Sequence, residues 1–535
     1  MSDSSSNQYT SRNGIQKGRV RCDESRPSCQ RCIHRNEICE GYRDEASLIF
    51  RHETKKVIEH ARASANSLGS NSPSSTLRRS RSVDGSPNSA QSPPKNSDPT
   101  DLTKNEMDSL NYQFSQPWLK SKPSRSQSTV QDEAAARFMG KYVIYPCNET
   151  SSPGFLEHLP SLFKDVNVKG RHALRWAVRA AGYADISKDS DSDLLARKAY
   201  HCYGLALTAL GESLAEPGKT PDDYDLMTVV VLDIFETLFL PDMARNDAHA
   251  QGMAQILRLR GTDQVCNPRG WSLFRLAHHR IQKQQLALGM PQIDESRQWL
   301  DQLDEEIPFV RNEKDGLKIK ETCDRAQNLL DHMLSQKPQL DELIEMTQEM
   351  LALDSQAASW RQMPQWSFKA LQVSDLPECE VLTQFTTPMV ELHIDIWNSY
   401  EWNYHRTARV IFLQQILKCL QAALNICDLD STHHNTLFDM IQRSIATIYQ
   451  LADGVLATVP QSLGDIDSLG RMHDSIKGPP KCRAVGAYLL LWPIKIIKSE
   501  NSWTNDEQKK RARIVFEQIR EYTGMKSLLG EKSCI

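Results

Sequence analysis

The stretch "GRVRCDESRPSCQRCIHRNEICEGY" (Gly18 to Tyr42) decides how the rest of the chain is read. Its four cysteines, Cys22, Cys29, Cys32 and Cys39, follow the spacing C-x6-C-x2-C-x6-C. Thiolates are soft ligands, and a C-x2-C pair brings two of them to one ion from a single turn, which is the chemistry of a tetrahedral zinc site. Lys17, Arg19 and Arg21 precede the first thiolate, and Arg26, Arg31, His34 and Arg35 follow it. Against them stand only Asp23 and Glu24 between Lys17 and Arg35. A basic surface on a metal-stapled scaffold can neutralise phosphates, and a single Arg or Lys can reach a guanine edge in the major groove.

Outside this stretch the chain has an ordinary soluble composition. Of 535 residues, 39% are hydrophobic and 25% charged, enough apolar mass for a sizeable core. The net charge of -4 hides an asymmetry. Residues 1–130 carry 20 Lys and Arg against 14 Asp and Glu, whereas the remainder carries 44 against 54. A basic head on an acidic body suits a small nucleic-acid-binding module on a larger partner domain. Nine of the 13 cysteines are scattered singly from Cys147 onward, which is not a disulfide framework, and the chain starts with the polar "MSDSSSNQYT". A reducing compartment is expected, with most later cysteines acting as small buried apolar residues. The longest apolar run, "AVGAYLLLWPIKII" (Ala484 to Ile497), is too short for a bilayer and contains Pro493, so no membrane association is expected.

Four regions follow from pattern. Residues 1–44 hold the cysteine-rich module. Residues 45–64 read as a short helix, with Leu48, Ile49, Val57, Ile58 and Ala61 on one broad face. Residues 65–129 read as a disordered Ser/Pro-rich linker. Its first part, residues 65–100, holds 11 Ser and five Pro but no aromatic residue, too little apolar surface to offset the ordering of its backbone. "RRSRS" (Arg78 to Ser82) and the Ser-Pro steps at Ser86 and Ser92 allow nuclear import or kinase control, beside the plainer reading of a solvated tether.

Residues 130–535 read as a large α-helical regulatory domain, so the fold class is all-α. Helical periodicity marks 171–186, 225–240, 246–261, 270–289, 318–335, 339–357, 380–400, 405–428, 434–458, 483–498 and 505–523. "DLMTVVVLDIFETLFL" (Asp225 to Leu240) is apolar nearly all round and predicts a buried helix. In "NDAHAQGMAQILRLRG", Asn246 or Asp247 predicts the cap and Gly261 the stop.

No H-E-x-x-H, P-loop, G-x-S-x-G or dinucleotide fingerprint is present, and a catalytic body is not expected. His278-His279 and His433-His434 are adjacent pairs. Helical neighbours point about 100° apart, which predicts surface or partly buried histidines rather than a two-ligand face. Trp176, Trp360, Trp366, Trp397, Trp402 and Trp492 read as core, with a ligand cavity as the alternative.

"RVRCDESRPSCQRCIHRNEICEGY" resembles the second part of the fungal Zn2Cys6 binuclear cluster, a family of transcription factors whose pattern is C-x2-C-x6-C-x(5–12)-C-x2-C-x(6–8)-C. Cys22, Cys29, Cys32 and Cys39 fall on the third to sixth family cysteines, and Pro27 falls on the loop proline. "HAQGMAQILRLRG", "IWNSY", "VPQSLG" and "YLLLWPI" are similar, more diffusely, to the family's regulatory region. The resemblance implies a nuclear, zinc-dependent, sequence-specific DNA-binding regulator of RNA polymerase II genes. It implies GC-rich half-sites, a homodimer or heterodimer, and contact with the transcription machinery. The metal ligands it implies are Cys22, Cys29, Cys32 and Cys39. The DNA-binding residues it implies are Lys17, Arg19, Arg21 and Arg26, with Arg19 toward bases and Arg21 and Arg26 toward phosphates.

The chain departs from the pattern at its start. The first two family cysteines would stand at positions 12 and 15, which are Arg12 and Ile15. A complete family cluster shares six sulfurs between two zinc ions; four sulfurs close around one at most. Gly18, in place of a basic residue, weakens the family's recognition helix by about 1 kcal/mol relative to alanine. Two explanations stand: a start translated from the wrong exon, which the abrupt onset of the match at "RVRCDE" favours, or genuine loss. The alternative function is then a helical co-regulator or interaction protein with a vestigial cluster that does not bind DNA.

Overall fold

In the computed structural model, residues 130–525 are described except 147–153, 166–170, 191, 241–247, 334–339, 362–365, 377–386, 427–430, 475 and 477. The first half of the helical body runs through α1 (Val130–Tyr142), α2 (Leu159–Asp165), α3 (His172–Ser190), α4 (Asp193–Leu214), α5 (Asp223–Phe239), α6 (Ala248–Arg260), α7 (Pro268–Leu288) and α8 (Asp294–Asp301). The second half runs through α9 (Pro308–Met333), α10 (Leu340–Ser359), β1 (Lys369–Gln372), β2 (Met389–Leu392), α11 (Ile396–Leu424), α12 (Ser431–Ala457), α13 (Val459–Ser462), α14 (Arg483–Lys498) and α15 (Asp506–Thr523). The two strands pair antiparallel, Lys369 opposite Leu392. The body is all-α, as the periodicity predicts.

Local chemistry explains the helix ends. Asp222 caps α5 in a reciprocal box with Asp225, and Asn505 caps α15 in the same way with Gln508. Asn267 accepts from the Gly270 amide at 2.7 Å while Pro268 fills the first turn of α7, where its missing N–H costs nothing. Gly289 closes α7 in the left-handed conformation, which a side chain disfavours.

α5 is buried on nearly every side, as its sequence predicts, because α3, α4, α6 and α7 surround it. Its three inward acids are all engaged. Asp225 accepts from Ser213, Asp233 from Arg280 and Gln284, and Glu236 from Tyr203 and His249. Four apolar cores result, the smallest made by Leu300 of α8 with Val310 and Leu317 of α9. The first joins α1 to α7, the second β2, α12, α13, α14 and α15, and the third α9 to α12. α14 sends Val485 and Tyr488 into the first and Leu490 and Ile494 into the second; α11 sends Trp397 and Tyr400 into the first and Phe412 and Ile416 into the third. These two helices therefore weld the halves into one unit.

Two of the backbone approaches that require glycine join neighbouring helices. A methyl on Gly182 of α3 would overlap the Ala134 carbonyl of α1, and one on Gly486 of α14 would overlap the Ser462 carbonyl of α13.

Several expectations are corrected. A single helix, α11, replaces those expected over 380–400 and 405–428. Pro388 biases its predecessor toward extended backbone, β2 forms over 389–392, and Asp395 caps the helix by accepting from the Asn398 amide at 2.8 Å. α9 begins ten residues before the expected 318, at Pro308. Its internal Gly316 faces the Gln282 side chain of α7, so that glycine marks a close approach rather than a boundary. Gly270 lies inside the first turn of α7 rather than before it. The caps expected at Asn246 and Asp247 lie outside the described residues, while Gly261 follows α6 with φ 64°. Cys202 and Cys419 are buried, but Cys323 and Cys482 are half-buried and Cys266 is exposed.

Candidate functional site

The residues that the sequence singles out for metal and DNA, Cys22, Cys29, Cys32, Cys39, Lys17, Arg19, Arg21 and Arg26, lie outside the described residues. So do the helix expected at 45–64 and all but the boundary of the linker expected at 65–129. Within the body, polar residues converge where α7, α9 and α11 meet.

Ser272, Arg275, Leu276 and His279 follow the i, i+3, i+4, i+7 spacing of one helical face on α7. Asn312 and Glu313 face them from α9, and Trp397 and Glu401, one turn apart, from α11. With Glu157 and Trp366 these residues line a cavity of about 50 Å³. That is room for about four water molecules at the 10–15 Å³ each occupies by this measure.

One wall is a buried carboxylate held by two imidazoles. His278 Nδ1 lies 2.6 Å from one Glu313 oxygen and His279 Nδ1 lies 3.0 Å from the other. A carboxylate only accepts, so both histidines donate from Nδ1, and His279 Nε2 is left to pair with the Tyr400 hydroxyl at 2.9 Å. Burial pushes the Glu313 carboxyl up, but the two histidine hydrogen bonds and their positive charge outweigh it and hold the group at about 2. The other face of His278 meets the rings of Phe274, Trp299 and Phe309.

This corrects the expectation for His278-His279. They are buried, not at the surface, and converge on one residue because a carboxylate has two oxygens to offer directions about 100° apart. His433 and His434 are exposed, as expected. Of the tryptophans, Trp366 and Trp397 are buried and line the cavity, whereas Trp176, Trp360, Trp402 and Trp492 are half-buried.

Behind the cavity, charge is neutralised along α11. The Arg361 guanidinium lies 4.1 Å over the Trp366 ring and donates to Glu401 at 3.3 Å. Arg406 spans both Glu391 oxygens at 2.7 and 2.9 Å, and Arg409 makes a two-pronged pair with Asp354 at 2.8 and 2.9 Å. His405 is held far below the usual imidazole range by burial and then by Arg361 and Arg409; it is neutral and donates from Nε2 to the Ala357 carbonyl.

Burial pushes the thiols of Cys202 and Cys419 up to about 11 and that of Cys323 up to about 12, away from the thiolate form that attacks or binds metal. Among the described residues no group of three His, Cys, Asp or Glu side chains can hold a metal, and no helix is long and apolar enough to cross a membrane. Sequence reasoning missed Glu157, Arg275, Glu313, Arg361 and Glu401. A signal existed: Arg275 and His279 occupy the inward face of α7, where periodicity calls for apolar residues.

Comparison with known families gives a match at the other end of the chain. The model of the fungal Zn(2)-Cys(6) binuclear cluster domain covers residues 16–47. The chain carries a fungal zinc-cluster domain. Proteins with this domain are transcription regulators rather than enzymes, and the domain implies zinc. No characterised protein and no solved structure matches the chain. The match begins at Gln16, immediately after Arg12 and Ile15, the positions of the two absent cysteines. By donor chemistry the remaining four thiolates fit one tetrahedral zinc; they do not fit a binuclear cluster of six.

Proposed function

We propose that the chain is a zinc-dependent, sequence-specific DNA-binding regulator of RNA polymerase II genes that acts in the nucleus. The observation that carries this reading is the zinc-cluster match over residues 16–47, which takes in four thiolates and the basic residues around them. The cluster occupies residues 1–44, a linker runs over 65–129 after the short helix of 45–64, and 130–535 form the regulatory body. Zinc draws Cys22, Cys29, Cys32 and Cys39 together and supplies the folding free energy of a module too small to have a core. Arg19 reads a guanine edge in GC-rich half-sites. Lys17, Arg21 and Arg26 neutralise phosphates and set the register. The chain acts as a homodimer or heterodimer, and its body contacts the transcription machinery.

The test is gel retardation of GC-rich duplexes by the full chain with zinc, over a salt series. Arg19→Ala should cost about 1–3 kcal/mol and relax base preference, whereas Lys17→Ala should weaken all sequences alike and lower the salt slope by about 1. If no duplex is retarded at low salt, the reading fails.

Arg12 and Ile15 favour a second reading. Without the first cysteine pair the chain is a co-regulator that joins another regulator through residues 130–535. It is then recovered with that regulator from nuclear extract while showing no DNA affinity of its own.

A further inference from the structure

We propose that residues 110–115 of this chain dock on the open edge of the β1–β2 sheet as a third strand. Among the described residues the sheet has two strands, and β2 packs against α12 and α13, which leaves β1 as the edge. The Val373 amide donates to the Pro388 carbonyl, which makes them a bonded pair. Pairs alternate in an antiparallel ladder, so Leu371 with Val390 and Lys369 with Leu392 are bonded too. Ala370 and Gln372 therefore turn their N–H and C=O groups outward, where nothing among the described residues pairs with them. Apolar surface lies beside this edge. Leu371 is only partly buried. A methyl on Gly470 would lie 3.3 Å from Leu371 and 3.5 Å from Leu392, which sets its neighbour Leu469, 70% exposed, close by. The shortness of β1 and the charge of Lys369 discourage chance pairing, so an occupant must bring apolar contacts of its own.

The occupant is read from the chain itself. "LNYQFS" (Leu110 to Ser115) alternates apolar and polar residues at every step and ends two residues before Pro117. Strict alternation is the pattern of a half-buried strand, and Tyr and Phe favour that state. A lone strand is not stable; it needs a sheet to join, and a two-stranded sheet gains from a third. Residues 110–115 lie outside the described residues. Phe114 precedes Val130, where the body begins, by 16 residues. That is about 55 Å of extended chain. A compact body of this length has a radius of gyration of about 21 Å, so the tether reaches across it. Docked, Leu110, Tyr112 and Phe114 share one face and cover Leu371 and Leu469, while the backbone pairs with Ala370 and Gln372.

The inference holds whether or not the zinc cluster binds DNA. Hydrogen exchange of the full chain, read fragment by fragment, tests it. Gln372 has φ -72°, the value that proline adopts, and its N–H points outward. Gln372→Pro therefore removes a docking bond without breaking a β1–β2 bond. It should speed exchange of residues 110–115 at least about tenfold while the melting temperature of the body stays unchanged. Tyr112→Ser combined with Phe114→Ser alters no residue of the body, so the fold is not at risk, and it should speed exchange at Ala370 and Gln372 by a similar factor. The proposal is overturned if residues 110–115 of the unmodified chain exchange at the rate of an unstructured chain. It is equally overturned if Gln372→Pro leaves their protection intact, which places them elsewhere, or if the protection fades on dilution, which makes the occupant a second copy.

Discussion

Replacing Glu313 by glutamine keeps the shape of the side chain and removes its charge. Glu313 is 2% exposed and accepts from two imidazoles, and its carboxyl is held at about 2 against an ordinary 4.5. A difference of about 2.5 units, at 1.36 kcal/mol each, corresponds to about 3 kcal/mol of native stability at neutral pH. Glutamine also turns an amide donor toward one of the two Nδ1–H groups, so one of the two hydrogen bonds is lost. For a helical body of this length the unfolding entropy, about 2.1 cal/mol/K per residue, sums to roughly 0.8 kcal/mol/K, and 3 kcal/mol lowers the melting temperature by about 4 °C. The sign with pH follows from the depressed carboxylate. Its contribution is complete above about 4.5 and is lost as the pH falls toward 2, so wild type and Glu313→Gln should converge across that window. Melting followed by circular dichroism at pH 7, 5 and 3.5 tests both parts. A variant that melts with wild type at pH 7, or a gap that does not narrow by pH 3.5, would refute the account of two imidazoles stabilising one buried charge.

Other outcomes follow from the same arguments. Zinc analysis of the purified chain should find at most one ion per chain, and Arg12→Cys combined with Ile15→Cys should raise this to two and increase DNA affinity; an unchanged zinc content would show that the pair does not complete the family site. Gly486→Ala should destabilise by about 1–3 kcal/mol, because its methyl overlaps the Ser462 carbonyl, whereas Gly211→Ala, with open space around the new methyl on α4, should be neutral or stabilise by up to about 1 kcal/mol. Equal melting temperatures for these two variants would contradict the close approach of α13 and α14.

Legibility differed between elements for physical reasons. α14 is found where periodicity puts it, 483–498, and α15 within a residue, since caps and apolar stripes are local properties of the chain. α5 announces its burial because no side of it is polar enough for water. The β1–β2 pair was invisible because four-residue strands carry no usable period and are fixed by each other across residues distant in sequence. The cavity could not be read for a related reason. Its charged residues come from four segments between Glu157 and Glu401, and only packing decides that they meet. The zinc-cluster motif is the opposite case: its four cysteines sit within 18 residues, Cys22 to Cys39, and are read without tertiary information.

That contrast implies two separable sources of order. Between Gly18 and Tyr42 the apolar side chains are Val20, Pro27, Ile33, Ile38 and Tyr42, too few for a core, so the module can hold its shape only through metal–thiolate bonds. The body holds four apolar cores and, among the described residues, no group of three or more His, Cys, Asp or Glu able to hold a metal. A chelator should therefore abolish gel retardation while the cooperative melting of the body stays within about 1 °C of its value with zinc. Restored zinc should restore retardation with the melting again unmoved. If chelation instead lowers the melting of the body by several degrees, zinc binds in the body or the cluster is folded onto it, and the separation of the two sources fails.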